Sequence, residues 1–454
     1  MRKTLLRLLV VAVIGLALIA SPPGRARSAS GQTPPITFFC ADSPSCPAIP
    51  VAGDPEATLG GNQAPFRGYG DPSLERDPAT GTLWLSYSWL DTLVSSPGPP
   101  PVVDFGVRTH LARSDDGGAT FSYVRAVNQA EQISHPDTGV PGWTMHEVST
   151  LAYVAPSAWQ LLWLTYFEPY GQPDARSDFY YTRTTASSPG ALGDTSQPWA
   201  RGNGTSASFG APYNLSTIPQ LSDCVAFTEP ALSVQIGVTF LATNCVVVVA
   251  GVRRPDLERL VLLREDTDGY SYVGVLLSYA DALDLGGTRV EQADLSLSRS
   301  GALLLIVTPI QDEPSEHHLG CVALHVTDLA SAQVQRDAGG HAVQLADITA
   351  DDPGVGAGLC TYDPASQTGV IIVLHKQADD PFDMEFTMHA TGVHPDVVPS
   401  VGGIAEAAIV VSPGTASRPR RRSLDALIAA AAALAVMLGA ASVALSRRAR
   451  RPGQ

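Results

Sequence analysis

Asp71-Pro-Ser-Leu-Glu-Arg-Asp-Pro-Ala-Thr-Gly-Thr-Leu-Trp-Leu-Ser-Tyr87 reads as a strand, a turn and a second strand. Asp77-Pro-Ala-Thr-Gly81 supplies the turn, because Pro presets one backbone angle and Gly accepts a positive φ. The flanking runs carry the β-formers of a half-buried hairpin. The same layout returns four times. His146-Glu147-Val-Ser-Thr-Leu leads to Leu161-Leu-Trp-Leu-Thr-Tyr166, and Thr228-Glu229-Pro-Ala-Leu leads through Gly237 to Val238-Thr-Phe-Leu. Ala293-Asp294-Leu-Ser-Leu leads through Gly301 to Leu303-Leu-Leu-Ile-Val, and Leu359-Cys-Thr-Tyr-Asp-Pro-Ala leads to Val370-Ile-Ile-Val-Leu.

The period is roughly 65 to 80 residues. Further strand-like runs follow each hairpin, at Phe105 to Ala112, Ser177 to Thr184, Leu257 to Arg264, His318 to Val326 and Asp383 to Ala390. Repeats of about four strands predict an all-β protein, a β-propeller of five blades. A sixth blade is the alternative, hidden in Thr185 to Asp223 or shared between the termini. Two stacked sandwiches are a further alternative, but these lack a shared opening phrase.

Composition agrees with short strands and many turns. Charged residues make up 16% of the 454, and Gly and Pro number 41 and 36. The net charge of −15 argues against nucleic acid, whose phosphates need Lys and Arg. Six cysteines contain no C-x-x-C pair, which disfavours a metal or thioredoxin-type motif. In an exported protein they are expected to pair as neighbours: Cys40 with Cys46, Cys224 with Cys245, Cys321 with Cys360.

Two apolar segments set the expected address. Residues 1–29 carry Arg2, Lys3 and Arg7 before an apolar run from Leu8 to Ala20, the layout of a secretory signal peptide. Leu424 to Leu445 is long enough for a single C-terminal transmembrane helix, followed by four arginines in a cytoplasmic basic tail at 446–454. The ectodomain is expected at 35–398 and a linker at 399–423. The chain is thus expected at the cell surface, with its C-terminus inside.

The first strand of each propeller blade lines the central channel, and four of the five repeats open it with an acid: Asp71, Glu147, Glu229 and Asp294. Such carboxylates either act as acid and base, or acid and nucleophile, on a glycosidic bond, or accept hydrogen bonds between blades. Tyr69, His146 and Arg67 stand beside them. Trp84, Trp89, Trp163 and Tyr166 lie on second strands and read as core. His317 and His318 show no third spaced ligand and read as a solvated loop. No cofactor or metal motif is present; a carbohydrate or glycoconjugate is the expected partner, with a protein partner as the alternative.

Ser114-Asp-Asp-Gly-Gly-Ala-Thr-Phe121 fits the pattern S-x-D-x-G-x-T-[F/W], with a shortened echo at Asp266 to Tyr272. From Pro65 to Val124 the chain resembles the sialidase-like Asp-box (BNR-repeat) propellers. That resemblance implies an arginine triad for a substrate carboxylate, a Tyr and Glu nucleophile pair, and an Asp acid/base. Arg67 matches the first arginine, Asp91 or Asp104 the acid, and Arg254 is a candidate for a further arginine. The Ile-Pro that follows the family's first arginine is missing here. The five-blade layout also looks like that of glycosidases acting on arabinans and fructans, which bring acids from several blades to one pocket, as Asp71, Glu147 and Glu229 would be.

Overall fold

A computed structural model describes residues 34–40, 46–54, 67–96, 102–154, 158–312, 317–352, 354–376 and 385–396. All the described residues fall within one compact unit, Met1–Val398. The signal segment, the linker, the apolar C-terminal segment and the basic tail lie outside the described residues. Among the described residues, no helix is long and apolar enough to cross a membrane.

This unit is all-β and propeller-like. Five successive antiparallel ladders are present among the described residues. Their inner strands are Arg67–Arg76, Pro141–Tyr153, Cys224–Gln235, Arg289–Leu297 and Val355–Thr361. Each turns back into a second strand, the first into Leu83–Ser96, and third strands such as Ser177–Ala186 follow. The stretch Thr185 to Asp223 adds no ladder of its own. Its short strands Ser196–Arg201 and Tyr213–Asn214 extend the second ladder outward.

The opening turn forms as its residues dictate. Asp77 accepts a hydrogen bond from Ala79 N at 2.8 Å, and Gly81 takes φ 77°. Alternation then buries Leu83, Leu85 and Tyr87 in one core cluster between ladders.

Consecutive inner strands pack side by side, and the fifth returns to the first. A repeated hydrogen bond stitches this ring. Ser73 Oγ accepts from Leu151 N at 3.1 Å, and Thr150 Oγ1 from Leu232 N at 2.9 Å. Asp294 Oδ2 accepts from Tyr362 N at 3.1 Å, and Thr361 Oγ1 from Leu74 N at 3.0 Å, joining the fifth ladder to the first. At the corresponding place in the third ladder stands Ala231, which has no acceptor to offer.

An N-terminal strap fastens the same closure from outside. Ile36–Cys40 runs parallel to Ala346–Ala350 of the fourth ladder. Ile49 N then bonds Met388 O of the fifth at 2.8 Å, and Val51–Ala52 pairs with Phe121–Ser122 of the first.

All three disulfides pair as neighbours, with Cα atoms 5.4, 5.2 and 6.2 Å apart for Cys40–Cys46, Cys224–Cys245 and Cys321–Cys360. The third joins the fourth ladder to the fifth across 39 residues of chain. Constraining a loop of that length in the unfolded state is worth about 4 kcal/mol. A Cys321→Ser/Cys360→Ser double variant is therefore expected to lose stability on that scale in urea unfolding. An unchanged midpoint and slope would refute the account.

Ser114 to Phe121 links two outer strands of the first ladder. Asp116 accepts from Ser114 Oγ at 2.6 Å, Thr120 Oγ1 at 2.6 Å and Thr120 N at 3.0 Å, and these bonds hold its carboxyl down at about 2. Phe121 is fully buried beneath the turn. The echo at Asp266 to Tyr272 is instead a plain hairpin turn, closed by the pairing of Asp266 with Gly269.

Candidate active site

Each inner strand carries a bulge at the same height, marked by a register shift against its second strand. The residues that take a positive φ there are Asp71 (44°), Val148 (48°), Glu229 (56°), Gln292 (29°) and Leu359 (53°). Non-glycine residues adopt this conformation at a cost and concentrate at functional sites. Two of the five are acids, so the repeated acid of the sequence does not occupy one equivalent place. Glu147 precedes its bulge residue, and Asp294 follows its own by two positions.

Asp71, Glu147 and Glu229 are nevertheless brought together. Asp71 raises the proton affinity of both glutamates and Glu147 raises that of Glu229, while burial is the largest cause in all three. Glu147 is pushed up to about 7 by burial, with the Arg176 guanidinium opposing and Asp71 reinforcing. Glu229 is pushed up to about 8 by burial, then by Asp71 and Glu147. Asp71 is raised by burial, while hydrogen bonds from Ser88 and Val148 N and the charge of His318 pull it down. Three carboxyls in one low-dielectric cluster do not all ionise at neutral pH, because each charge makes the next harder to form.

The surrounding groups come from other strands and turns. Tyr166 donates to Glu147 Oε2 at 3.4 Å, and Gln292 N donates to Glu229 Oε2 at 3.1 Å. Gln292 Nε2 also reaches Pro72 O of the first ladder at 3.2 Å. Arg176 stacks over the Tyr166 ring at 5.1 Å and donates to Glu168 at 3.0 Å. A sialidase would use a Tyr and Glu pair, but Tyr166 is fully buried and cannot reach a substrate.

The other expected site residues lie elsewhere. Asp294 accepts from Ser296 Oγ, Thr361 Oγ1 and Tyr362 N, so it ties the fourth ladder to the fifth. Asp104 accepts from Trp143 Nε1 at 2.9 Å and Gly171 N at 2.5 Å and clamps the first ladder to the second. Asp91 pairs with Arg108 at 3.1 Å. His146 is packed in the core, where its Nδ1 accepts from Trp163 Nε1 at 3.2 Å; burial lowers it to about 4. Tyr69 meets Tyr87 and Trp89 edge-on, each at 5.4 Å, in the first ladder's own aromatic cluster. Arg254 is exposed and engaged with Asp256 at 2.7 Å, away from the acids. Arg67 opens its strand, and its side chain lies outside the described residues.

Sequence reasoning missed Gln292, Arg176 and the place of His318. Aligning the repeats on the bulge rather than on the acid would have exposed Gln292. His318 is not in a solvated loop. It is half-buried, its Nδ1 lies 2.8 Å from His375 Nε2, and its charge reaches Asp71. Trp84, Trp89, Trp163 and Tyr166 are core, as read. The described residues close enough to share an ion are grouped around disulfide-bonded cysteines, whose sulfurs are not available as ligands.

No family model matches this chain, and no curated protein does. Solved structures similar in fold include an arabinanase, Arb43A, of Bacillus subtilis. It is 12% identical over 71% of this chain and 94% of that one, with a TM-score of 0.37. A family 117 glycoside hydrolase, Zg3597, of Zobellia galactanivorans is 13% identical over 76% and 89%, with a TM-score of 0.43. An endo-arabinase of Bacteroides thetaiotaomicron VPI-5482 is 12% identical over 74% and 95%, with a TM-score of 0.40.

Proposed function

We propose that this chain is a glycoside hydrolase built on a five-bladed propeller, exported and held at the cell surface by its C-terminal apolar segment. The observation that carries the catalytic reading is the clustering of Asp71, Glu147 and Glu229 at or beside the bulges of three consecutive inner strands, one buried and two half-buried, with each carboxyl raised. Glu229 holds its proton at neutral pH and serves as the general acid toward the leaving-group oxygen. Asp71, steadied by Ser88 and Val148 N, is the carboxylate that ionises first and acts as base or nucleophile. Glu147, between Arg176 and the other two, keeps the pair apart in proton affinity.

A non-catalytic glycan-binding propeller is the second reading. It is favoured by the bonds the acids already make between strands, Glu147 accepting from Tyr166 and Glu229 from Gln292 N. The test is a screen of the purified chain on chromogenic arabinofuranosides, fructosides and sialosides. Turnover on the first two classes, lost in Asp71→Asn, supports the proposal. Turnover on sialosides alone restores the sialidase resemblance. No turnover on any of them, with glycan binding intact, moves the assignment to the binding module.

A further inference from the structure

A cavity of about 190 Å³ lies beside the fifth ladder, and none of the three acids lines it. It opens where the strap strand Ile36–Cys40 and the end of Gln344–Ala350 meet the strands Ile371–Lys376 and Glu385–Ala390. Leu374 and Val355 form apolar wall, and Asp351, Glu385, His375 and His389 supply polar lining. We propose that this cavity is a second carbohydrate site that takes a single sugar ring. It rests on the carbohydrate reading above and deepens it: the substrate or ligand is then an oligosaccharide held at two places.

The hydrogen bonding decides which ligand chemistry fits. Glu291 lies 3.4 Å from His318 Nε2, and a carboxylate can only accept, so His318 carries its proton there. His318 carries positive charge toward Asp71 and His375, so its Nδ1 is protonated too and donates to His375 Nε2 across 2.8 Å. Neutral His375 then keeps its own proton on Nδ1, a buried N–H with no partner in the protein. His375 is 6% exposed, and burial holds its imidazole down to about 3, in the neutral form. Its ring is seated over Gly356, where any Cβ would run into it, and stacks on Phe386 at 4.9 Å. His389 is already satisfied, through Cys46 O at 2.9 Å and Thr387 Oγ1 at 2.9 Å.

The cavity therefore offers carboxylate acceptors and a histidine N–H over an apolar wall. A sugar ring presents the complement, C–H faces with a girdle of hydroxyls that both donate and accept. The volume is below the roughly 300–1,000 Å³ of sites for larger ligands, so one ring is the unit that fits. A bound cation is the weaker fit. Among the described residues, Asp351, Glu385 and His375 do not come close enough to share an ion.

The test is ligand-observed NMR on the full-length chain with L-arabinose, D-fructose and D-galactose as probes. Four proteins are compared: the parent, Ala350→Phe, Asp351→Ala and Glu229→Gln. The expected result is saturable binding of at least one sugar, weakened about tenfold by Ala350→Phe, which fills the cavity, and severalfold by Asp351→Ala. Glu229→Gln reports any binding at the acid cluster, and the share that Ala350→Phe and Asp351→Ala remove persists in it. Asp351 is exposed on the rim, so its variant carries the test even where the larger side chain disturbs folding. Binding that survives both cavity variants, binding lost only in Glu229→Gln, or no binding of any probe overturns the proposal. None of these readouts needs turnover, so the catalytic reading stands or falls separately.

Discussion

Glu229→Gln is expected to lower kcat by about 10²- to 10⁴-fold on any glycoside the chain cleaves with a poor leaving group, the range for losing a positioned general acid. Gln keeps the shape and the carbonyl oxygen that receives Gln292 N, so the inner strand has no reason to unfold. The pH profile separates this role from a structural one. The active form of Glu229 is the protonated one, and burial together with Asp71 and Glu147 lifts its proton affinity to about 8. Activity of the parent should therefore fall as pH rises through about 8, and the variant should lose that alkaline limb. A glycoside with a highly activated leaving group needs little protonation and should be spared most of the loss. If the variant instead loses activity equally on all substrates and keeps the limb, Glu229 is not the acid.

A second large effect is expected in stability, at the end of the first inner strand. Glu75 stands four residues beyond Asp71, half-buried. Burial, then Asp363 and Asp294, push its carboxyl up to about 8. The Arg76 guanidinium is bonded to Asp363 through Nε at 3.1 Å, and the backbone N–H groups of Arg76 and Tyr153 only partly pull the carboxyl down. The ordinary Glu value is about 4.3 in the unfolded chain. Between that value and about 8 the folded state binds the extra proton. Its contribution to stability is thus complete at low pH and is lost as pH rises through the folded value. The full span is on the order of 3–5 kcal/mol. Asp294, raised to about 6 chiefly by burial, acts in the same direction. Urea unfolding should show the parent losing stability between pH 5 and 8.5, and Glu75→Gln should flatten a large share of that slope. Identical slopes in the two proteins would sink the assignment.

Much of this architecture was legible from local signals. The turn at Asp77 to Gly81 and its four echoes marked the inner and second strands, because hairpins depend on residues close in sequence. Cysteine order was enough for the three disulfides. Cys224 and Cys245 lie on adjacent strands of one hairpin, and Cys321 and Cys360 sit on neighbouring ladders. Asp71, Glu147 and Glu229 were also readable, since an acid at the head of an inner strand recurs in consecutive repeats.

What the chain order does not contain is the offset of each bulge. Side chains alternate along a strand, so a shift of one or two residues changes which neighbour an acid meets. Asp71 and Glu229 stand on the bulge and Glu147 beside it, and the three perturb one another's charge. Asp294, two residues further along, is spent on Thr361 and Tyr362 instead. Arg176 reaches the acids from the second ladder, His318 and Gln292 from the fourth, and none carries a local motif. By itself the sequence determined the strand rhythm, the disulfide pairing and the identity of the acids, all of which follow from short-range chemistry. Only the tertiary structure decided which acids share one desolvated cluster, because charge coupling depends on distance through space and on the water excluded between groups.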